Sequence, residues 1–213
     1  MIHSVIIDAI PPEGAVTNIN GKTYAMTAIT PMKPWKTPIL RLLFFILAHV
    51  KPLQSKLVNL SFIHFARWVV IKRHAFPRPA PTQPEENLFY DYLMFFSNFN
   101  GTWNQYIDAF ADVLSQGLDA IWIWSEKFPR ARPVTAFKRY ISQVQFDTDY
   151  YYTAYPTATT NDVKAAHRVC GALEDFGRSS DGMTPEQFSG AWLEFLTKVQ
   201  TDLGATGIGP VGT

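Results

Sequence analysis

The residue in this sequence with the clearest capacity for chemistry is His64, in the segment Ser61 to Ile71 (SFIHFARWVVI). An imidazole can act as a general base or as a ligand, because its charge changes near neutral pH. Arg67 follows three residues later and is the other ionisable side chain of the segment. One interpretation pairs Arg67 with Asp91 of the next apolar segment.

The aromatic and β-branched residues of this segment favour a strand, whose side chains alternate between two faces. Alternation places His64 on one face with Phe62, Ala66 and Trp68, and Arg67 on the other face with Ile63, Phe65 and Val69. The two polar groups therefore need a bulge to form one site. A lone histidine is more often a hydrogen-bonded structural residue, and that interpretation stands beside the base and the ligand.

Asn98, Asn100 and Asp108 lie around the next strand-to-helix turn, before and after Gly101. Loops at such places often bind ligands. Asn-Gly is also the ordinary chemistry of a tight turn, and we favour the turn. The sequence contains no zinc-protease motif, paired cysteines, phosphate-binding glycine loop or nucleophile elbow. It therefore predicts no metal site and names no reaction.

The elements that must position these residues can be read from apolar patterns and turn signals. We predict a first strand over Lys22 to Met32, a helix that starts at Thr37-Pro38, and two strands over Leu60–Ile71 and Leu88–Phe96. The loop between the last two is short and proline-rich, so these strands should be antiparallel neighbours. A capping box at Thr102 and Gln105 then starts a helix with Trp103, Tyr106, Ile107 and Phe110 on one face.

The C-terminal half predicts further elements. Ala120 to Trp124 is either a strand or the end of a buried connection, Val134–Val144 a helix, and Asp147–Tyr155 a strand. Thr159 or Thr160 caps another helix, and Thr184-Pro185 starts the last one. This order indicates a ferredoxin-like split βαβ α+β sandwich with extra C-terminal helices. We divide it into an N-terminal arm (1–22), a ferredoxin-like domain (23–176), a C-terminal helix (177–203) and a flexible tail (204–213).

Charge is distributed unevenly along the chain. Residues 1–81 contain ten Lys and Arg against Asp8 and Glu13, whereas residues 82–213 contain nine against sixteen acidic residues. This asymmetry indicates a membrane surface or an acidic partner, or a basic half that folds against an acidic half. The sequence has no nucleic-acid-binding motif, so we expect no nucleic-acid partner.

The longest apolar run, Ile39 to Val50, is too short to span a bilayer. It is apolar nearly all round the helix, which predicts deep burial or docking against a membrane or a larger complex. The docking hypothesis uses Leu43 and Phe44, with Lys36 and Lys51 as flanking charges. No secretory signal is recognised and the single Cys170 favours a reducing compartment. We therefore expect a cytoplasmic protein, membrane-peripheral if the helix docks.

The segments IHFARW and LMFFSNFNGTWNQYIDAF resemble the N-terminal half of the dye-decolourising peroxidases over about residues 60–114. The resemblance implies a ferredoxin-like domain that pairs into a dimeric α+β barrel. Members of that family carry haem, with a Gly-x-x-Asp-Gly motif and a second ferredoxin-like half. Gly177 to Gly182 has one residue too many for that motif, and the second half is not found. We therefore expect no stoichiometric haem.

Three functions remain as hypotheses. The first is a haem-free relative that binds a small apolar ligand in an aromatic-lined pocket, since 15% of the residues are aromatic. Its ligand-binding residues are His64, Arg67, Trp68, Asn98 and Asn100. The second is an accessory protein that docks through helix 39–50. The third is an active haem enzyme that uses His64.

Overall fold

The architecture is a mixed α and β fold built on an antiparallel sheet. The computed structural model describes residues 18–50, 60–76, 78 and 80–203. Its elements, in chain order, are β1 (Ile19–Asn20), β2 (Thr23–Met32), a 3-10 turn (Pro34–Lys36), α1 (Thr37–His49), β3 (Ile63–Ile71), β4 (Asp91–Phe99), α2 (Trp103–Trp122), α3 (Val134–Val144), β5 (Gln145–Phe146), α4 (Thr160–Ser179) and α5 (Pro185–Leu203). The α+β prediction is confirmed.

The strands lie in the order β1-β2-β4-β3, and β5 pairs with β2. All of these pairings are antiparallel. β3 and β4 pair from Ile63 opposite Phe99 to Ile71 opposite Tyr92, so the predicted antiparallel pairing of these two strands is confirmed. β3 is the edge strand among the described elements.

One face of the sheet carries the core. Alternate residues of β4, Leu93, Phe95 and Phe99, are fully buried there. Leu40 of α1, the apolar face of α2, and Phe137 and Ile141 of α3 belong to the same core cluster. The predicted inward face of α2 is confirmed, since these four side chains are buried: Trp103, Tyr106, Ile107 and Phe110.

Stacked rings fill the centre of this core. Tyr24 and Phe99 stack at 5.1 Å between ring centroids, Phe99 and Tyr106 at 3.8 Å, and Tyr106 and Phe110 at 5.0 Å. Offset stacking of this kind adds to the area that each ring buries. Much of the high aromatic content is therefore used in packing.

The other side of the sheet, which we name the outer face, is less covered. It carries the alternate residues of three strands that point away from the helices. These residues are half-buried in β2 (Thr27, Ile29 and Pro31) and β4 (Tyr92, Met94 and Phe96), and exposed in β3 (Phe65, Arg67 and Val69). The Arg67 guanidinium lies 4.8 Å from the Phe96 ring centroid. The pairing of Arg67 with Asp91 is wrong, because Asp91 instead accepts hydrogen bonds from Thr37 and from the Arg73 backbone.

Two further sequence predictions need correction. Ala120 to Trp122 is the end of α2. Asp147–Tyr155 holds no strand, and β5 is Gln145–Phe146, opposite Ala28 and Thr27. β1 already pairs with Tyr24 and Thr23 farther along the same edge. The backbone after β5 makes hydrogen bonds to side chains at and just before β1 and not to a neighbouring strand. The Thr148 N–H donates to the Asn18 Oδ1 at 2.8 Å.

α4 and α5 form a C-terminal hairpin. Its centre is a cluster of rings, in which Phe176 of α4 lies 5.3–5.4 Å from each of Phe188, Trp192 and Phe195 of α5. The predicted caps are confirmed, with Thr159 starting α4 and Thr184 bonding to Gln187 ahead of α5. The division at residue 176 falls inside α4. Residues 1–17 of the arm, the tail 204–213 and Lys51 lie outside the described residues.

Candidate functional site

His64 lies at a break in the β3–β4 register. Ile63 is opposite Phe99 and Phe65 is opposite the adjacent Asn98, so His64 is the extra residue of a β-bulge. The bulge breaks the alternation assumed from the sequence. Ile63, which alternation placed beside Arg67, packs against the core with Ala66 and Trp68 instead. A bulge at an edge commonly re-aims a side chain.

The ring of His64 is close to Asn100. Although His64 is exposed as a residue, partial burial of its ring lowers its pKa, and a hydrogen bond with the Asn100 side chain acts in the opposite direction. The net effect lowers the pKa from the ordinary value of 6.5. The imidazole is therefore neutral at neutral pH.

Asn100 holds three segments together. Its Nδ2 donates to the Lys22 carbonyl oxygen at 2.7 Å, and its Oδ1 accepts from the Thr160 backbone N–H and hydroxyl at 3.0 and 3.1 Å. Only 7% of the residue is exposed. These bonds join the end of β4 to the start of β2 and the first turn of α4. Asn100 is thus a fixed polar wall, since a buried amide is costly to leave unpaired.

A cavity of about 290 Å³ opens beside Asn100. Its apolar walls are Phe62, Tyr106 and Ala109, and the Phe62 and Tyr106 rings meet edge to face at 6.1 Å. Polar groups complete the lining: Ser61, Asn100, Gln105, Thr159 and Asn161. The cavity therefore combines an aromatic corner with a polar end, which is the usual composition of a small-molecule site.

Tyr106 contributes its ring to this cavity. Its hydroxyl donates to the Ser97 Oγ, 3.0 Å away in the core, and the Ser97 hydroxyl donates to the Phe65 carbonyl oxygen. Burial raises the pKa of Tyr106 far above its usual value, and the Ser97 hydrogen bond only partly offsets this. The phenol therefore stays protonated and acts as a structural group.

The five ligand residues proposed from the sequence are not brought together. Asn100 lines the cavity, and His64 contacts Asn100. Arg67 lies on the outer face, and Asn98 lies within β4, where its Nδ2 donates to the Tyr151 hydroxyl at 2.5 Å. Trp68 packs against Phe95 and Trp122 in the core.

No sequence pattern indicates that Phe62 and Tyr106 meet in one corner. Alternation puts Phe62 on the same face as His64, and helical spacing puts Tyr106 on the buried face of α2. Their meeting joins two elements that are far apart in the chain, for which a single sequence gives no local signal.

The docking residues proposed on α1 are also placed differently. Leu43 and Phe44 pack against the core cluster. Lys36 forms an ion pair with Glu126 at 2.9 Å. The exposed apolar side of α1 is made by Ile39, Leu42, Phe45 and Ile46.

Other candidate features give no reacting group. Gly177 to Ser179 are the last turn of α4, so only the remainder of the Gly177–Gly182 segment is loop. Within the described ranges, no group of three or more His, Cys, Asp and Glu side chains is arranged to hold a metal ion. No helix in the described part of the chain has both the length and the apolar character needed to cross a membrane.

The cavity has the size and lining of a small-molecule site. Among its described lining residues, no nucleophile is paired with a base. The resemblance to dye-decolourising peroxidases rests on its quoted residues alone. Comparisons with protein-family models, with curated proteins and with solved structures found no match to this chain.

Proposed function

We propose that this chain is a ferredoxin-like α+β binding protein that holds a small ligand in the cavity beside Asn100 and works without haem. The observation that carries the proposal is the aromatic corner of Phe62 and Tyr106 next to a fixed polar wall. The strand order supports the ferredoxin-like assignment. Its four main strands follow the split βαβ sequence, with β4 between β2 and β3 and with β5 beside β2.

The size and lining of the cavity define the ligand. The volume of about 290 Å³ is just below the range of drug-sized pockets, which begins at about 300 Å³, so the ligand is small. The two rings and Ala109 suit a planar or compact apolar body. Gln105, Asn161 and the helix starts beside them suit one polar group on that body. Small aromatic alcohols and acids have this shape and polarity.

We expect phenol or benzoate to bind the purified protein with a saturable one-to-one isotherm in calorimetric titration. Ala109→Leu adds a branched side chain to the cavity wall and should weaken the affinity by about tenfold or more, since it occupies ligand volume. Ala120→Leu makes the same change on an exposed position of the same helix and should leave the affinity unchanged.

Two results would contradict the proposal. One is the lack of saturable binding by the unmodified protein. The other is equal affinity in the Ala109→Leu and Ala120→Leu variants, which would place the ligand elsewhere. The same sample should show no Soret band in its visible spectrum. A strong Soret band that disappears in His64→Ala would replace this proposal with the haem enzyme.

We also propose that the outer face pairs with the outer face of a second copy, as a dimeric α+β barrel. Support comes from Phe65 and Val69, which are 47% and 40% exposed, next to the half-buried Met94 and Phe96. Two sheets of this kind pack about 10 Å apart with interdigitated side chains. Apart from Thr27 and Arg67, the residues of this face are apolar or aromatic, and large exposed apolar patches mark interaction sites.

Sedimentation equilibrium should therefore give the mass of a dimer. Ile29→Glu places a charge on β2, opposite Met94 and two strands away from Arg67, and should give a monomer, because an unpaired buried charge is strongly unfavourable at an interface. Phe89→Glu changes a ring that is 78% exposed outside this face and should leave the dimer intact. A monomeric unmodified protein at high concentration would contradict this assembly.

A further inference from the structure

Helix α1 and the 3-10 turn before it carry large apolar side chains that are mostly exposed to solvent. Trp35, Leu42 and Phe45 are 62%, 60% and 61% exposed. Ile39 and Ile46 are exposed between them and complete a stripe at helical spacing. The opposite side of α1 packs against the core through Leu40 and its neighbours. We name the exposed stripe the α1 surface.

All the charged side chains of the chain segment that contains α1 are basic. From Gly14 to Pro84 the sequence contains ten Lys and Arg and no Asp or Glu. Lys33 and Arg41 are exposed beside the stripe. Arg41 and Lys72 also line an open groove between α1 and β3, about 590 Å³ in volume. The adjoining depression at the start of α1 adds Arg73 and His74.

The charges that face this surface from neighbouring elements leave it positive. Glu126 is paired with Lys36 at 2.9 Å, which lowers the pKa of Glu126 and keeps it ionised. Asp91 is buried and accepts hydrogen bonds from Thr37 and Arg73. Glu126 also interacts with Lys33, and Asp91 lines the depression that holds Arg41 and Arg73, so each carboxylate offsets part of the positive charge. The surface stays positive because five cations outnumber these two carboxylates: Lys33, Lys36, Arg41, Lys72 and Arg73.

We propose that the α1 surface docks on a lipid bilayer that contains anionic lipids. A convex helix with Trp, Phe and Leu on one side and Lys and Arg at its rim is typical of helices that lie in the membrane interface. α1 has 13 residues, or about 20 Å of helix, so it lies on the bilayer. The apolar stripe itself shares no residue with the lining of the ligand cavity or with the outer face.

The observations favour a bilayer over two other occupants. A second copy would bring two basic surfaces together, which is unfavourable. A helical or extended peptide needs a groove for its anchors, and none of the five apolar side chains of the stripe lines the groove between α1 and β3. An anionic bilayer supplies both the apolar depth for Leu42 and Phe45 and the negative charge for Arg41 and Lys33.

The test is flotation with vesicles of phosphatidylcholine alone and of phosphatidylcholine with phosphatidylserine. We expect the full chain to float with the anionic vesicles and to be released by high salt, because salt screens surface charges. The double variant Leu42→Ser with Phe45→Ser should lower the partition coefficient by about tenfold or more, since both apolar side chains leave water on docking. Arg41→Glu should lower it on anionic vesicles only.

A matched control comes from the C-terminal hairpin. Leu193 and Leu203 are 62% and 57% exposed and lie outside the ring cluster, and replacing both by serine should leave flotation unchanged. The inner-side change Leu43→Ser should lower the melting temperature, because Leu43 packs against the core. It separates loss of folding from loss of docking.

Each other outcome would overturn the proposal. Failure of the unmodified protein to float excludes the bilayer. Equal flotation with neutral vesicles excludes the anionic lipid as the recognised component. Self-association that is abolished by the Leu42 and Phe45 variant, without flotation, assigns the surface to a second copy.

Discussion

Replacement of Phe110 by alanine should lower the free energy of unfolding by about 3–5 kcal/mol, the range for removal of a buried aromatic ring. Phe110 is 2% exposed. Its ring stacks on Tyr106 at 5.0 Å and lies 6.1 Å from Phe95, so it joins α2 to the centre of the sheet. The surrounding rings are held by their own neighbours and cannot close the cavity that alanine would leave. Urea unfolding followed by fluorescence measures the loss.

Asp112, two residues later, is the control for this change. It is exposed, and its ion pair with Arg132 at 3.0 Å is exposed on both sides. An exposed pair of this kind contributes less than about 1 kcal/mol, so Asp112→Ala should be close to neutral. A similar loss of stability in the two variants would show that α2 does not pack against the sheet through Phe110.

Gly21→Ala should lower the free energy of unfolding by about 2–4 kcal/mol, because a left-handed backbone costs about 1 and a steric clash about 1–3 more. Gly21 has a φ of +61°, and a Cβ there would lie 2.0 Å from the Pro156 carbonyl oxygen. That oxygen accepts the Lys22 backbone N–H at 2.7 Å. Relief of the clash would therefore break a hydrogen bond between two distant segments.

A control at Gly182 separates the cost of the left-handed backbone from the cost of the steric clash. Its φ is +78°, and a Cβ there would meet nothing within 4 Å. Gly182→Ala should therefore cost only the conformational term, about 1 kcal/mol. Thermal unfolding of both variants measures the difference. Equal losses would mean that the approach of Pro156 to Gly21 is not part of the folded state.

The elements with local signals could be predicted from the sequence. Reciprocal caps at Thr102 with Gln105 and at Thr184 with Gln187 involve residues three apart, and the structure shows both pairs of bonds. The pairing of β3 with β4 followed from the loop between them. Proximity in the chain restricts the alternatives in each case.

The site could not be predicted, because its geometry depends on distant parts of the chain. The bulge at His64 shifts the register of β3 by one residue, so Ile63 lies on the core face of the sheet and not on the face of Arg67 that alternation predicts. The predicted strand Leu88–Phe96 also ends too early, because β4 continues through Phe99 and contains Asn98. On α1, apolar residues surround the helix, so the sequence could not tell the packed Phe44 from the exposed Phe45.

The attachment of the C-terminal hairpin affects how the native state opens. The ion pair of Lys22 with Asp162 and the bonds from Asn100 to Thr160 lie at the first turn of α4. The ring cluster around Phe176 and the Arg168–Asp202 ion pair lie within the hairpin itself. A hairpin with its own contacts, whose bonds to the rest of the described residues lie at its first turn, has its own free energy of opening. Amide hydrogens of α4 and α5 should therefore exchange with solvent together and earlier than those of β4, whose release requires global unfolding.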